Sequence, residues 1–114
     1  MTEKFHLQIL SKRATAQQLK RLASGFNGEE IKAVVDVKRG AIAAGCEWHS
    51  EARDVLLKSG SDSEDLWGAR VNIKNGAIIY KSQINEGRVG SDGNELVDQE
   101  IRSEVETVLK QYLV

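Results

Sequence analysis

No proline occurs in the 114 residues, there is one cysteine, and the longest apolar runs are four residues. Each scarcity removes a class of protein. Without proline, nothing interrupts helices or strands from within. A lone cysteine cannot close an internal disulfide, so a reducing, cytoplasmic setting is expected. Apolar runs this short fall far below the roughly 20 residues that cross a bilayer. The opening MTEKFHLQIL lacks a charged-then-apolar leader pattern, because His6 and Gln8 break it. A net charge of −1 gives no global pull toward nucleic acid or an anionic membrane. No internal repeat or low-complexity tract stands out. What is left is an ordinary globular composition, and the length suits one domain over residues 1–114.

The apolar pattern supplies the elements. Phe5 to Leu10 alternates, with Phe5, Leu7 and Ile9 on one side, as a half-buried strand does. Thr15-Ala16-Gln17-Gln18 is a capping box, followed by Leu19, Leu22, Ala23 and Phe26 at helical spacing and an Asn27-Gly28 stop. Ile31 to His49 reads as a hairpin with its turn at Arg39-Gly40, either two residues or, since Arg suits the first position of a type I′ turn poorly, a three-residue loop with a bulge. The two-residue turn would pair Val37 with Ile42, Val35 with Ala44, Ala33 with Cys46 and Ile31 with Trp48 on one apolar face. Ser50 is a candidate N-cap for a short helix that carries Ala52, Val55 and Leu56 and stops at Gly60. Asn75-Gly76 marks a second hairpin, pairing Ile73 with Ile78, Val71 with Tyr80, Ala69 with Ser82 and Trp67 with Ile84. The glycine-rich stretch from Glu86 to Gly93 reads as a loop. A final helix starts near Asn94 or Asp98, with Ile101, Val105, Val108 and Tyr112 as its stripe.

The order is β-α-β-β-α-β-β-α, with a ferredoxin-like, split βαβ start. It predicts an α+β fold with a five-stranded, mostly antiparallel sheet and three helices on its apolar face. The other face then holds His6, Gln8, Lys32, Asp36, Glu47 and His49, with Arg70, Asn72, Lys81, Gln83 and Asn85 from the second hairpin. An open sheet of this kind has two edges, so a homodimer through an edge strand is expected.

Several chemistries can be set against that face. Zinc deaminases need His-x-Glu followed by Cys-x-x-Cys, whereas Cys46-Glu47-Trp48-His49 reverses the order and has no second cysteine. A metal site would need a third ligand such as His6 or Asp65, and none is assigned. No nucleophile elbow, Walker loop or dinucleotide fingerprint supports catalysis, and the cofactor is left unknown. Gly87-Arg88-Val89-Gly90-Ser91 lacks the strand-loop-helix context of a phosphate cradle and reads as a surface loop. RNA binding needs exposed aromatics for stacking, and both expected registers turn the aromatics inward. His49 as a base, partnered by Glu47 or Asp65, is the one catalytic arrangement left standing.

KAVVDVKRG, AIAAGCEWHSEA and LLKSGSDSEDLWG carry a resemblance. They are similar to a family of small uncharacterised bacterial proteins, a domain of unknown function. Those proteins share a strand ending Val-Asp-Val, a Gly-x-Glu-x-His step into a helix, and an Asp-Leu-Trp-Gly strand start. The likeness continues through Ser82-Gln83-Ile84-Asn85 and the last helix. Cys46 and Trp48 stand where the family usually has Gly and Leu, and the Glu86–Asn94 loop is shorter and less arginine-rich. The resemblance implies no established activity. It points to Asp36, Glu47, His49, Asp65, Trp67, Ser82 and Asn85.

The functional expectation is a non-catalytic binding or protein-interaction module that uses the polar sheet face. Asp36, Arg70, Ser82 and Asn85 are its candidate ligand-binding residues. The alternative is a small enzyme, hydrolase-type or metal-assisted, built around Glu47, His49 and Asp65. No membrane and no nucleic-acid partner is expected, and the small-molecule ligand is left open.

Overall fold

The computed structural model describes residues 4–114. Its main sheet contains β1 (Gln8–Ile9), β2 (Glu30–Asp36), β3 (Ala41–Ala44), β4 (Leu66–Asn72) and β5 (Ile78–Ile79), in the order β1-β3-β2-β4-β5 and antiparallel throughout. The helices are α1 (Ala16–Leu22), α2 (His49–Lys58) and α3 (Gln99–Tyr112). The α+β class, the five strands and the element order are as expected. A small ribbon is added, β6 (Ser91–Asp92) with β7 (Glu95–Leu96), inside what reads as a loop. Among the described residues no helix is long and apolar enough to cross a membrane.

Local chemistry sets the helix ends. Thr15 Oγ1 accepts from Gln18 N (3.1 Å), and Gln18 Oε1 accepts from Thr15 N (2.8 Å), which completes the capping box. Asp98 caps α3 by accepting from Ile101 N at 3.0 Å. For α2 the helix begins one residue before Ser50, and Glu51 Oε1 accepts from Trp48 N at 2.9 Å.

Both hairpins have four-residue turns, Val37–Gly40 and Ile73–Gly76, and not two-residue ones. Val35 therefore faces Ile42, and Val71 faces Ile78. The cause is one side chain in each turn. Asp36 Oδ1 accepts from Lys38 N and Arg39 N (both 2.9 Å), and Gly40 N reaches the Asp36 carbonyl oxygen. Asn72 Oδ1 accepts in the same way from Lys74 N (2.9 Å) and Asn75 N (3.2 Å), with Gly76 N on the Asn72 carbonyl oxygen. Gly40 and Gly76 both have positive φ, near 70°, which closes the turn without a Cβ penalty.

The two turns expose a short internal repeat that composition hides. Val35-Asp36-Val37-Lys38-Arg39-Gly40-Ala41-Ile42 recurs as Val71-Asn72-Ile73-Lys74-Asn75-Gly76-Ala77-Ile78. The ladder obeys the same shift. Ala33 faces Ala69, Glu30 faces Asn72 and Asp36 faces Leu66, so a local twofold axis passes between Ala33 and Ala69.

The helices break that symmetry. The connection β1-α1-β2 steps over β3, and β3-α2-β4 steps over β2 in the same direction from a strand of opposite sense. Two crossovers of the usual right hand must then lie on opposite faces. On one face Ile31, Ala33, Val35, Ile42, Trp67, Ala69 and Val71 pack with Leu22 of α1 and with Val105, Val108 and Leu109 of α3. On the other, Val34, Ala43, Cys46 and Leu66 pack with Ala52 and Leu56 of α2. The sheet has no open polar face along its middle: α2 covers it. Only the end of that face beyond the first turn of α2 stays polar and accessible.

Candidate functional site

Gly45 is the hinge of the site. Its φ is +91°, and a Cβ there would lie 2.5 Å from the His6 carbonyl oxygen, so only glycine lets the chain leave β3 at this point. The strand ends at Ala44, and strand alternation stops with it. The expected sides of the next residues consequently change. Cys46 is buried, but against α2 and not on the Ala33 face. Trp48, expected in the core, is 56% exposed. His49, expected on an open face, is only 7% exposed.

His49 opens α2 and reaches under β4. Its Nε2 lies 2.9 Å from the Ala69 carbonyl oxygen. A carbonyl only accepts, so Nε2 carries the proton and Nδ1 keeps its lone pair. No hydrogen-bond partner for Nδ1 is found among the described residues, and His49 lines a cleft. Burial above all lowers the imidazole pKa from 6.5 to about 4; the bond to Ala69 opposes this, and Lys32 and Arg70 add to it. The ring is neutral at pH 7.

The cleft holds about 260 Å³. Lys32, Arg70 and Lys81 bring three cations to it, and no carboxylate lines it. Lys32 and Arg70 are direct cross-strand partners. Like charges in that relation repel, and the Glu30 carboxylate beside Arg70 offsets part of that repulsion. Arg70 Nη1 finds Glu30 Oε1 at 3.3 Å, while Lys32 and Lys81 form no ion pair among the described residues. Instead Lys32 Nζ donates to the Glu47 carbonyl oxygen (3.0 Å) and sits over the rings of Phe26 (5.0 Å) and Trp48 (5.5 Å). Ser50 and Ser82 add hydroxyls, and the His49 and Ser50 amides have no backbone partner at the positive end of α2.

The floor is tightly built. A Cβ on Gly68 would lie 2.5 Å from Ser82 Oγ and 3.1 Å from His49 Cδ2. Beside it, Asn85 replaces a strand partner: Oδ1 accepts from Gly68 N, and Nδ2 donates to the Gly68 carbonyl oxygen, both at 2.9 Å. The strand expected to run to Ile84 thus ends at Ile79, and a side chain completes the ladder.

Of the seven candidates, the structure gathers three at the cleft: His49, Arg70 and Ser82. Asn85 is fully buried beneath them and acts on the backbone. Asp36 is fully buried at the turn, where Oδ2 accepts from Ser61 Oγ at 2.6 Å and Arg39 donates to the same hydroxyl at 2.8 Å. Glu47 and Asp65 do not line the cleft, and neither pairs with His49 among the described residues. The Glu47 side chain faces a different hollow, near Leu7 and Cys46. Asp65 sits at the start of β4 with Asp62 and Glu64, whose carboxylates fall within 4.8 Å of one another on the surface. The Cys46 thiol is pushed up to about 12, mainly by burial, and stays protonated. The Arg88 side chain lies 3.6 Å over Trp67 and donates to the Leu66 carbonyl oxygen, so the glycine-rich loop spends its cation on the fold.

Trp48, Ser50 and Asn94 are cleft residues that strand alternation alone does not bring together. Gly45 just before Cys46 is the signal that moves Trp48 outward. The fold and site define an α+β protein whose antiparallel sheet is covered on both faces and opens at one end in a cationic cleft. Residues 8–112 match the family described as Protein of unknown function (DUF5674), and the chain belongs to that family. No curated protein and no solved structure matches the chain.

Proposed function

We propose that the protein is a binding module whose cleft takes a small anion, a phosphate or carboxylate group. The carrying observation is the opposed pair Lys32–Arg70 with Lys81 beside it and no lining carboxylate. Adjacent cations repel, and an anion between them turns that repulsion into attraction. The free amides and hydroxyl at the start of α2 add donors of the kind that hold oxyanions. Neutral His49 contributes an acceptor at Nδ1, which suits a ligand with a hydroxyl or amine near its anionic group.

Inorganic phosphate tests this reading. A ligand that binds the folded state alone raises Tm with its concentration. Phosphate at constant ionic strength is expected to raise Tm in the native protein and much less in Lys32→Gln or Lys81→Gln. Equal Tm gains in native protein and variants would mean a nonspecific salt effect, and the cleft would not be an anion site.

A further inference from the structure

We infer that the ligand is a nucleoside monophosphate, its phosphate between Lys32, Arg70 and Lys81 and its base stacked on Trp48. This rests on the anion-binding reading and extends it. The cleft presents three chemistries side by side, and inorganic phosphate would use only the first. Three cations meet a phosphate. Nδ1 of His49, on a ring that lines the cleft, has no protein partner among the described residues and can accept from an O–H or N–H donor, which a ribose hydroxyl supplies. At the rim Trp48 exposes 56% of its surface, the largest exposed aromatic among the described residues. An indole kept in water beside a phosphate site offers a stacking platform for a planar ring.

Size and charge narrow the class. The cleft, at about 260 Å³, is just below the range of roughly 300–1,000 Å³ usual for small-molecule pockets. It therefore takes the phosphate and sugar, and the base lies outside against Trp48. A net charge of −1 provides no long-range attraction for a polyanion, which favours a mononucleotide over a nucleic-acid strand.

Titration calorimetry of the full chain tests this with adenosine monophosphate, ribose 5-phosphate and a 5′-phosphorylated tetra-adenylate. The mononucleotide is expected to bind about tenfold more tightly than ribose 5-phosphate, the gain that one stacked base supplies. In Trp48→Ala that ratio falls toward one, and Trp48→Phe, which keeps a ring, retains most of it. Lys32→Gln weakens both ligands. Equal affinity for the mononucleotide and ribose 5-phosphate would overturn the base contact and leave the anion site standing. Failure of both ligands, and of inorganic phosphate, would overturn the anion site as well. Tighter binding of the tetranucleotide than of the mononucleotide would overturn the assignment in favour of a strand.

Discussion

Asp36 and His49 are both polar and both buried, and they differ in what they leave unspent. Asp36 has neighbours for both carboxylate oxygens: two backbone amides on one and the Ser61 hydroxyl on the other. His49 commits Nε2 to Ala69 and leaves Nδ1 without a partner beside three cations. A satisfied buried carboxylate specifies structure, because every neighbour depends on it. The His49 ring is buried, but its Nδ1 is not among the atoms sealed from solvent without a partner, so its lone pair stays available at the cleft. Residue type and burial alone do not separate the two roles; the hydrogen-bond inventory does.

The comparison can be broken by substitution. Asp36→Ala should have the largest effect, destabilising by about 3–4 kcal/mol in chemical denaturation, since two turn amides lose a charged acceptor and Ser61 and Arg39 lose their anchor. A loss below about 1 kcal/mol would mean that the turn holds itself.

Acid should act through His49 by nearly as much. Its folded pKa is about 4 against 6.5 for a free imidazole. Between those values the unfolded chain binds more protons, so stability is complete above pH 6.5 and falls as pH drops toward 4. The full effect is about 3 kcal/mol. His49→Gln keeps an N–H for Ala69 and removes the titration. The difference in stability between native protein and this variant should shrink through that window, and a constant difference would contradict the assignment.

Gly68→Ala should cost about 2 kcal/mol, because the added methyl meets Ser82 and His49. It should also disturb the cleft, which is visible as shifted resonances of Ser82 and His49. The smallest effects sharpen the likeness between the two turns. Asn72→Asp keeps the acceptor that Lys74 and Asn75 use and should change stability by less than about 0.5 kcal/mol. Asp36→Asn should cost about 1 kcal/mol, because it keeps the turn and gives up the charged contact to Ser61.

Much of the fold was legible from alternation. Both hairpin registers move by two residues, and a shift of two leaves the paired strand residues on their expected faces, so Ile31, Val35, Trp67 and Val71 are core residues as read. Turn length was not legible from Asn75-Gly76 alone, because Asn72, three residues earlier, stretches the turn with its side chain. The second covered face was present in the sequence as Ala33-Val34-Val35, an unbroken apolar run typical of a strand buried on both sides. The polar residues at its ends, Lys32 and Asp36, masked it. The candidate site was half legible. His49, Arg70 and Ser82 converge, while Glu47 falls away because Gly45 ends the strand before it.

The most direct test of the cleft is the NMR titration of His49 with and without sulfate, whose charge is constant over the range. An anion between Lys32, Arg70 and Lys81 would offset their effect on the ring and stabilise a proton on Nδ1. The account predicts that sulfate raises the His49 pKa above about 4 in the native protein and leaves it unchanged in Lys32→Gln/Lys81→Gln. An identical His49 titration with and without sulfate, with no resonance shifts at Ser50 or Ser82, would contradict it.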